Sequence, residues 1–159
     1  MKALVIYDSE FGNTEKVAQA IGTALGSQGD DVAVLRAGDV GPDALRGLDI
    51  LVVGSPTQGF QPLPAVKKFL KSIPAQGLEG LKVAAFDTRF SMDSVDSGFL
   101  KFMVKLFGYA AEPIAKRLTQ KGGDLRVPPE GFIVEDTEGP LRDGELERAA
   151  EWAQQLLPK

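Results

Sequence analysis

Ser9, Asn13 and Thr14 are short polar side chains gathered around Gly12, and the chemistry their spacing suits is anion binding. The stretch Ser9-Glu10-Phe11-Gly12-Asn13-Thr14 follows an apolar run, Ala3-Leu4-Val5-Ile6-Tyr7. That run is short and continuous, the pattern of a strand buried on both faces. Beyond the stretch, Val17, Ile21, Ala24 and Leu25 recur at i, i+4, i+7 and i+8, one stripe of an amphipathic helix. The loop therefore joins the carboxyl end of a parallel strand to a helix N-terminus. Unpaired N–H groups and the positive end of a helix dipole meet there, and both favour a phosphate. No Gly-Lys-Ser/Thr follows, so this is not a Walker A loop, and it is not a Gly-x-Gly-x-x-Gly turn either. The competing reading is that Asn13 or Thr14 merely caps the helix.

Two further loops carry candidate ligand-binding residues. Pro56-Thr57-Gln58-Gly59-Phe60 follows the apolar run Ile50–Val53, with an aromatic ring set among Gly and Pro. Thr88-Arg89-Phe90 follows Val83–Phe86, in a stretch read as a polar loop from Asp87 to Ser97. Phe60 and Phe90 are suited to covering the faces of a flat ring. For each the alternative is packing against its own helix or loop.

The elements that must position these loops alternate strand and helix. Strands are expected at Ala3–Tyr7, Val32–Leu35, Ile50–Val53 and Val83–Phe86. A fifth comes in two pieces, Leu125–Val127 and Phe132–Val134, because Pro128 and Pro129 interrupt it. A brief helix is expected from Gly41-Pro42-Asp43, and a helical stretch from Gly98 that breaks near Gly108 and Pro113. Strands alternating with helices predict an α/β fold, a doubly wound parallel sheet of five strands with helices on both faces. In the order 2-1-3-4-5 the loops after strands 1, 3 and 4 converge on one edge, where such sheets bind ligands. The 159 residues suffice for a single domain over 1–159.

Composition narrows the chemistry. There is no Cys and no His, which removes thiolates, cysteine-held clusters and the commonest general base and metal ligand. Neither catalytic nor metal-ligating residues are assigned; chemistry must come from a borrowed cofactor or from carboxylates. A net charge of −4 argues against nucleic acid as partner. The most apolar stretch is broken by Lys101 and Lys105, so no transmembrane segment is expected. The chain opens directly on its first strand, and the expected location is the cytoplasm.

The loop Tyr7-Asp8-Ser9-Glu10-Phe11-Gly12-Asn13-Thr14-Glu15 resembles the phosphate loop of flavodoxins, (S/T)-x-(S/T)-G-x-T. Phe11 stands where a second hydroxyl is usual. Gly54-Ser55-Pro56-Thr57-Gln58-Gly59 is similar to the first ring loop of that family, and Phe86-Asp87-Thr88-Arg89-Phe90 occupies the place of its second. Gln58 replaces a frequent Trp, and the usual Tyr near Asp93 is missing. The short interruption of the fifth strand resembles the short-chain type. The resemblance implies FMN, its phosphate on Ser9–Thr14, its ring between Thr57–Phe60 and Thr88–Phe90, and a backbone carbonyl near Gln58-Gly59 facing the ring. It implies a one-electron carrier between redox partner proteins, more a carrier than a turnover enzyme.

A small FMN-dependent reductase, acting on a quinone or linked to NAD(P)H, and a flavodoxin-like module without flavin are the alternatives. A response-regulator phosphoacceptor is excluded, because strand 3 ends in Gly54-Ser55 and strand 5 runs into Glu135-Asp136. Two expectations concern charge and surface. Arg89 would act as a cation beside the ring or stand as a solvated surface charge, with acids only at Asp87 and Asp93. Residues 99–109, rich in Phe and Leu, would either fill the core or form a docking or self-association patch.

Overall fold

A computed structural model describes residues 1–27, 29–41, 43–90 and 98–158, the side chains of 106 and 107 excepted. Pro42, Asp93 and the rest of 91–97, and the side chain of Phe107 lie outside the described residues. The elements run β1 (Lys2–Tyr7), α1 (Asn13–Leu25), β2 (Asp31–Arg36), β3 (Ile50–Pro56), α2 (Pro64–Ser72), β4 (Lys82–Phe90), α3 (Gly98–Phe107), α4 (Ala111–Gln120), β5 (Asp124–Leu125), β6 (Glu130–Val134) and α5 (Glu145–Gln154). The sheet order is β2-β1-β3-β4-β5, with β6 also on β4. Every named strand pair is parallel. β5 and β6 are two pieces of one edge, since Lys82 pairs with Asp124 and Phe86 with Glu130 along the same strand.

Period-two alternation divides the core between the two faces of the sheet. Val5, Val52, Ala84 and Phe86 meet Val17 and Ile21 of α1 and Ala149 and Trp152 of α5. Ile6, Leu51, Val53 and Ala85 meet Val66 and Phe69 of α2 and Ile114 and Leu118 of α4. On the first face Phe86, Phe132 and Trp152 pack edge to face, with centroids 6.0–6.3 Å apart. The Phe86 ring lies against the backbone of Gly54, where a Cβ would collide with it. Gly54 thus lets an aromatic core sit directly beneath the start of the loop that follows β3.

Two expected elements differ. Residues 43–47 form turns, not a helix: Ala44 N–H donates to the Gly41 carbonyl at 3.2 Å and Arg46 N–H to that of Asp43 at 3.1 Å. Gly41 and Gly47 bracket too few residues to propagate i to i+4 bonds. Asp87–Phe90 continue β4 instead of opening a loop, because β3 and β6 extend the ladder on both sides, pairing Thr88 with Pro56 and with Phe132. The expected break near Gly108 is present, between α3 and α4, with Gly108 at φ 74°. Among the described residues no helix is long and apolar enough to cross a membrane.

Candidate functional site

The carboxyl ends of β1, β3 and β4 meet at a cleft of about 410 Å³, within the usual range for small-molecule sites. At one end stands the N-terminus of α1. Gly12, its N-cap residue, has φ 92°, a left-handed value that strains any residue with a Cβ. A Cβ there would meet nothing within 4 Å, so the requirement for glycine is torsional. Ser9 Oγ accepts a hydrogen bond from Gly12 N–H at 3.0 Å, and Asp8 Oδ1 accepts one from Ser9 N–H at 2.9 Å. The amides of Glu10, Phe11, Asn13, Thr14 and Glu15 have no acceptor among the described residues. Asn13 and Thr14 are buried, so two of these donors belong to residues withdrawn from bulk solvent.

Side chains from distant segments hold this loop. Arg36, at the end of β2, donates to Asp8 Oδ1 at 2.8 Å and to the Ser9 carbonyl at 2.9 Å. Asn13 Nδ2 donates to the Glu138 carbonyl at 3.1 Å. The hydroxyls of Thr14 and Thr88 lie 2.8 Å apart in a buried hydrogen bond, tying the loop to β4.

The loop after β3 closes as a two-residue turn. Gln58 and Gln61 exchange backbone hydrogen bonds of 2.9 and 3.0 Å, with Gly59 at φ 55° and Phe60 at φ 67°. Positive φ at both central residues is the type I′ pattern, natural for Gly59 and unusual for a bulky aromatic. A backbone carbonyl near Gln58-Gly59 is expected to face a ring, and that of Gln58 accepts from Gln61 N–H within the turn. Thr57 is pinned at both its groups: its N–H donates to the Thr88 carbonyl at 3.0 Å, and its Oγ1 accepts from Ala110 N–H at 3.1 Å.

Arg89 is not a free cation. Its Nε and Nη2 bind both carboxylate oxygens of Asp87, at 2.6 and 2.7 Å, and its guanidinium lies 3.6 Å from the Tyr109 ring centroid. Asp87 is fully buried and also accepts from Ala111 N–H at 2.9 Å. Burial pushes the Asp87 carboxyl above its ordinary value, against the opposing pull of Arg89 and the Ala111 amide. Of the acids expected near Arg89, Asp87 is its ion-pair partner, so the two charges are paired.

All fourteen sequence-derived site residues except Gly12 line the one cleft: Ser9, Glu10, Phe11, Asn13 and Thr14; Pro56, Thr57, Gln58, Gly59 and Phe60; Thr88, Arg89 and Phe90. Leu100, Val104, Tyr109, Val134 and Thr137 also line it; the first three fall in the 99–109 segment expected as core or docking patch, and none is among the expected ligand-binding residues. Tyr109 supplies a tyrosine ring from the α3–α4 junction, and its place beside the helix-breaking Gly108 was the available signal. Among the described residues no group of acidic side chains could hold a metal ion. The cleft joins a donor-rich end to apolar walls, an arrangement that suits a molecule with an anionic end and an apolar body.

Comparison with known proteins agrees. The flavodoxin family model matches residues 5–152. A "NADPH-dependent diflavin oxidoreductase 1" of Emericella nidulans is 31% identical over 79% of this chain, and a flavodoxin of Clostridium beijerinckii is 34% identical over 52% of it. The chain spans 18% and 60% of those two relatives' own lengths. Among solved structures, an archaeal flavodoxin superposes with TM-score 0.74 and 27% identity, covering 98% of this chain and 96% of that one. With a family match running from β1 into α5, the chain belongs to the flavodoxin family.

Proposed function

We propose that the chain binds FMN non-covalently and carries single electrons between redox partner proteins. The observation that supports this most is the row of amides at the N-terminus of α1 that have no acceptor among the described residues, opening into an apolar cleft. Phosphate would take the Ser9–Thr14 loop, where amide donors and helix dipole act together. The ring would lie between Thr57–Phe60 and Thr88–Phe90, with Tyr109 and Leu100 excluding water. FMN is preferred over FAD because the cradle ends one strand-helix unit. A bound flavin supplies the redox chemistry, while the protein supplies binding, orientation and electrostatics.

Partners would dock on the rim of the cleft. Phe99 and Phe102 of α3 are 73% and 59% exposed, and Lys101 and Lys105 are exposed on the same helix. Apolar exposure on that scale marks a contact surface, for a redox protein or a second copy. A reductase reading is favoured by one observation, the likeness to a relative named as an NADPH-dependent oxidoreductase. Stepwise anaerobic reduction of the FMN-loaded protein, followed by visible and EPR spectra, separates the two. The carrier reading predicts an accumulating radical and negligible NADPH consumption with a quinone; turnover of NADPH without a radical contradicts it.

A further inference from the structure

The chain has seven arginines, and six of them pair with carboxylates: Arg36, Arg46, Arg89, Arg126, Arg142 and Arg148. Arg117 of α4 is the exception, with no side-chain hydrogen bond or ion pair among the described residues. It faces Lys67 and Lys71 of α2 across a second cleft, of about 280 Å³, on the side of the sheet that α2 and α4 cover. Neither lysine has an ion-pair partner among the described residues. The floor includes buried Leu70 and Pro62.

Helix electrostatics account for part of this arrangement only. Lys71 and Arg117 lie in the last turns of their helices, where cations oppose the dipole favourably. Lys67 lies one turn into α2, at the end where a cation is disfavoured, and four residues before Lys71, a repulsive like-charge spacing. Glu or Asp is absent from the whole of α2. Three cations thus converge on one concavity in a protein whose net charge is −4, and no carboxylate is among the described residues that line it.

We propose that the α2–α4 groove is a second binding site, specific for a small multiply charged anion of the oligophosphate class. Arg117 would give forked hydrogen bonds and the lysines point charges, the pairing suited to adjacent phosphoryl groups. Gln61 lines the groove and is the last residue of the tight turn whose other residues line the first cleft, so the two sites share a wall. The site needs no flavin, and its test is independent of the FMN reading.

The test is a titration of the purified full chain with sodium pyrophosphate, followed by amide NMR shifts, with orthophosphate and citrate as parallel arms. Saturable shifts at Lys67, Leu70, Lys71 and Gln61 are expected. Arg117→Gln should weaken pyrophosphate binding at least five-fold, whereas Lys68→Gln, the same charge change outside the groove, should weaken it less than two-fold. Unchanged melting temperatures in both variants show that folding is not the cause. Shifts that do not saturate, or that fall equally in both variants, would overturn the proposal; citrate binding more tightly than pyrophosphate would overturn the ligand class.

Discussion

Thr14 and Thr88 share one buried hydrogen bond, and among the described residues each hydroxyl has no other side-chain partner in a region shut off from water. Removing one strands its mate, which costs more than the bond itself contributes. Thr14→Val and Thr88→Val should each lower stability by about 1–3 kcal/mol, and the double variant by clearly less than the sum. Urea unfolding of the four proteins in the cycle checks this; strict additivity contradicts it. Arg89 carries a larger penalty. Its removal leaves Asp87 buried and unpaired, a loss of about 3–5 kcal/mol near neutral pH. Burial already raises the Asp87 carboxyl, and without Arg89 it rises further. A carboxyl whose folded value is raised costs nothing below its unfolded value, destabilises increasingly as pH climbs from that value to the folded one, and costs a constant amount above it. The deficit of Arg89→Gln should therefore be small near pH 4 and grow toward neutrality, and adding Asp87→Asn should flatten it. A deficit equal at both ends of that range contradicts the pairing.

At the scale of elements, α5 is fastened to the edge strand through Glu145 and Arg148. Glu145 Oε2 accepts from Ile133 N–H at 2.6 Å and from Arg148 Nη2 at 2.7 Å, and Arg148 Nη1 reaches Glu130 at 3.0 Å. The Arg148 guanidinium first, then the Ile133 amide, hold the Glu145 carboxyl below its ordinary value. This contribution is present above the unfolded carboxyl's value of about 4.3 and is lost as pH falls through the folded value. Wild type should lose more stability than Glu145→Gln on acidification through that window, as read from urea midpoints. Parallel acid limbs contradict the role given to Glu145. The sheet itself was legible in the sequence, because apolar runs at β1, β3 and β4 announce buried strands and Pro128-Pro129 announce a broken edge. Asp87–Phe90 were not legible as strand: their polarity mimics a loop, and only the neighbours that satisfy Asp87 make burial tolerable. Arg36 and Tyr109 escaped for a related reason. Each reaches the site through register or a chain break, bringing together residues that are far apart in sequence.

For the whole molecule, the doubly wound order brings three features to one edge: the proposed anion cradle, the proposed ring walls and the exposed apolar residues of α3. The cradle belongs to the fold, since Arg36, Thr88 and the Glu138 carbonyl hold it from three different segments. The account's central claim is that this cradle recognises the phosphate of FMN. Fluorescence titration of the flavin-free protein with FMN and with riboflavin tests it most directly, because the two ligands share the ring and differ in the phosphate. Charge-assisted bonds from the loop amides should make FMN bind about 100-fold or more tightly than riboflavin, and equal affinities for the two would contradict the account.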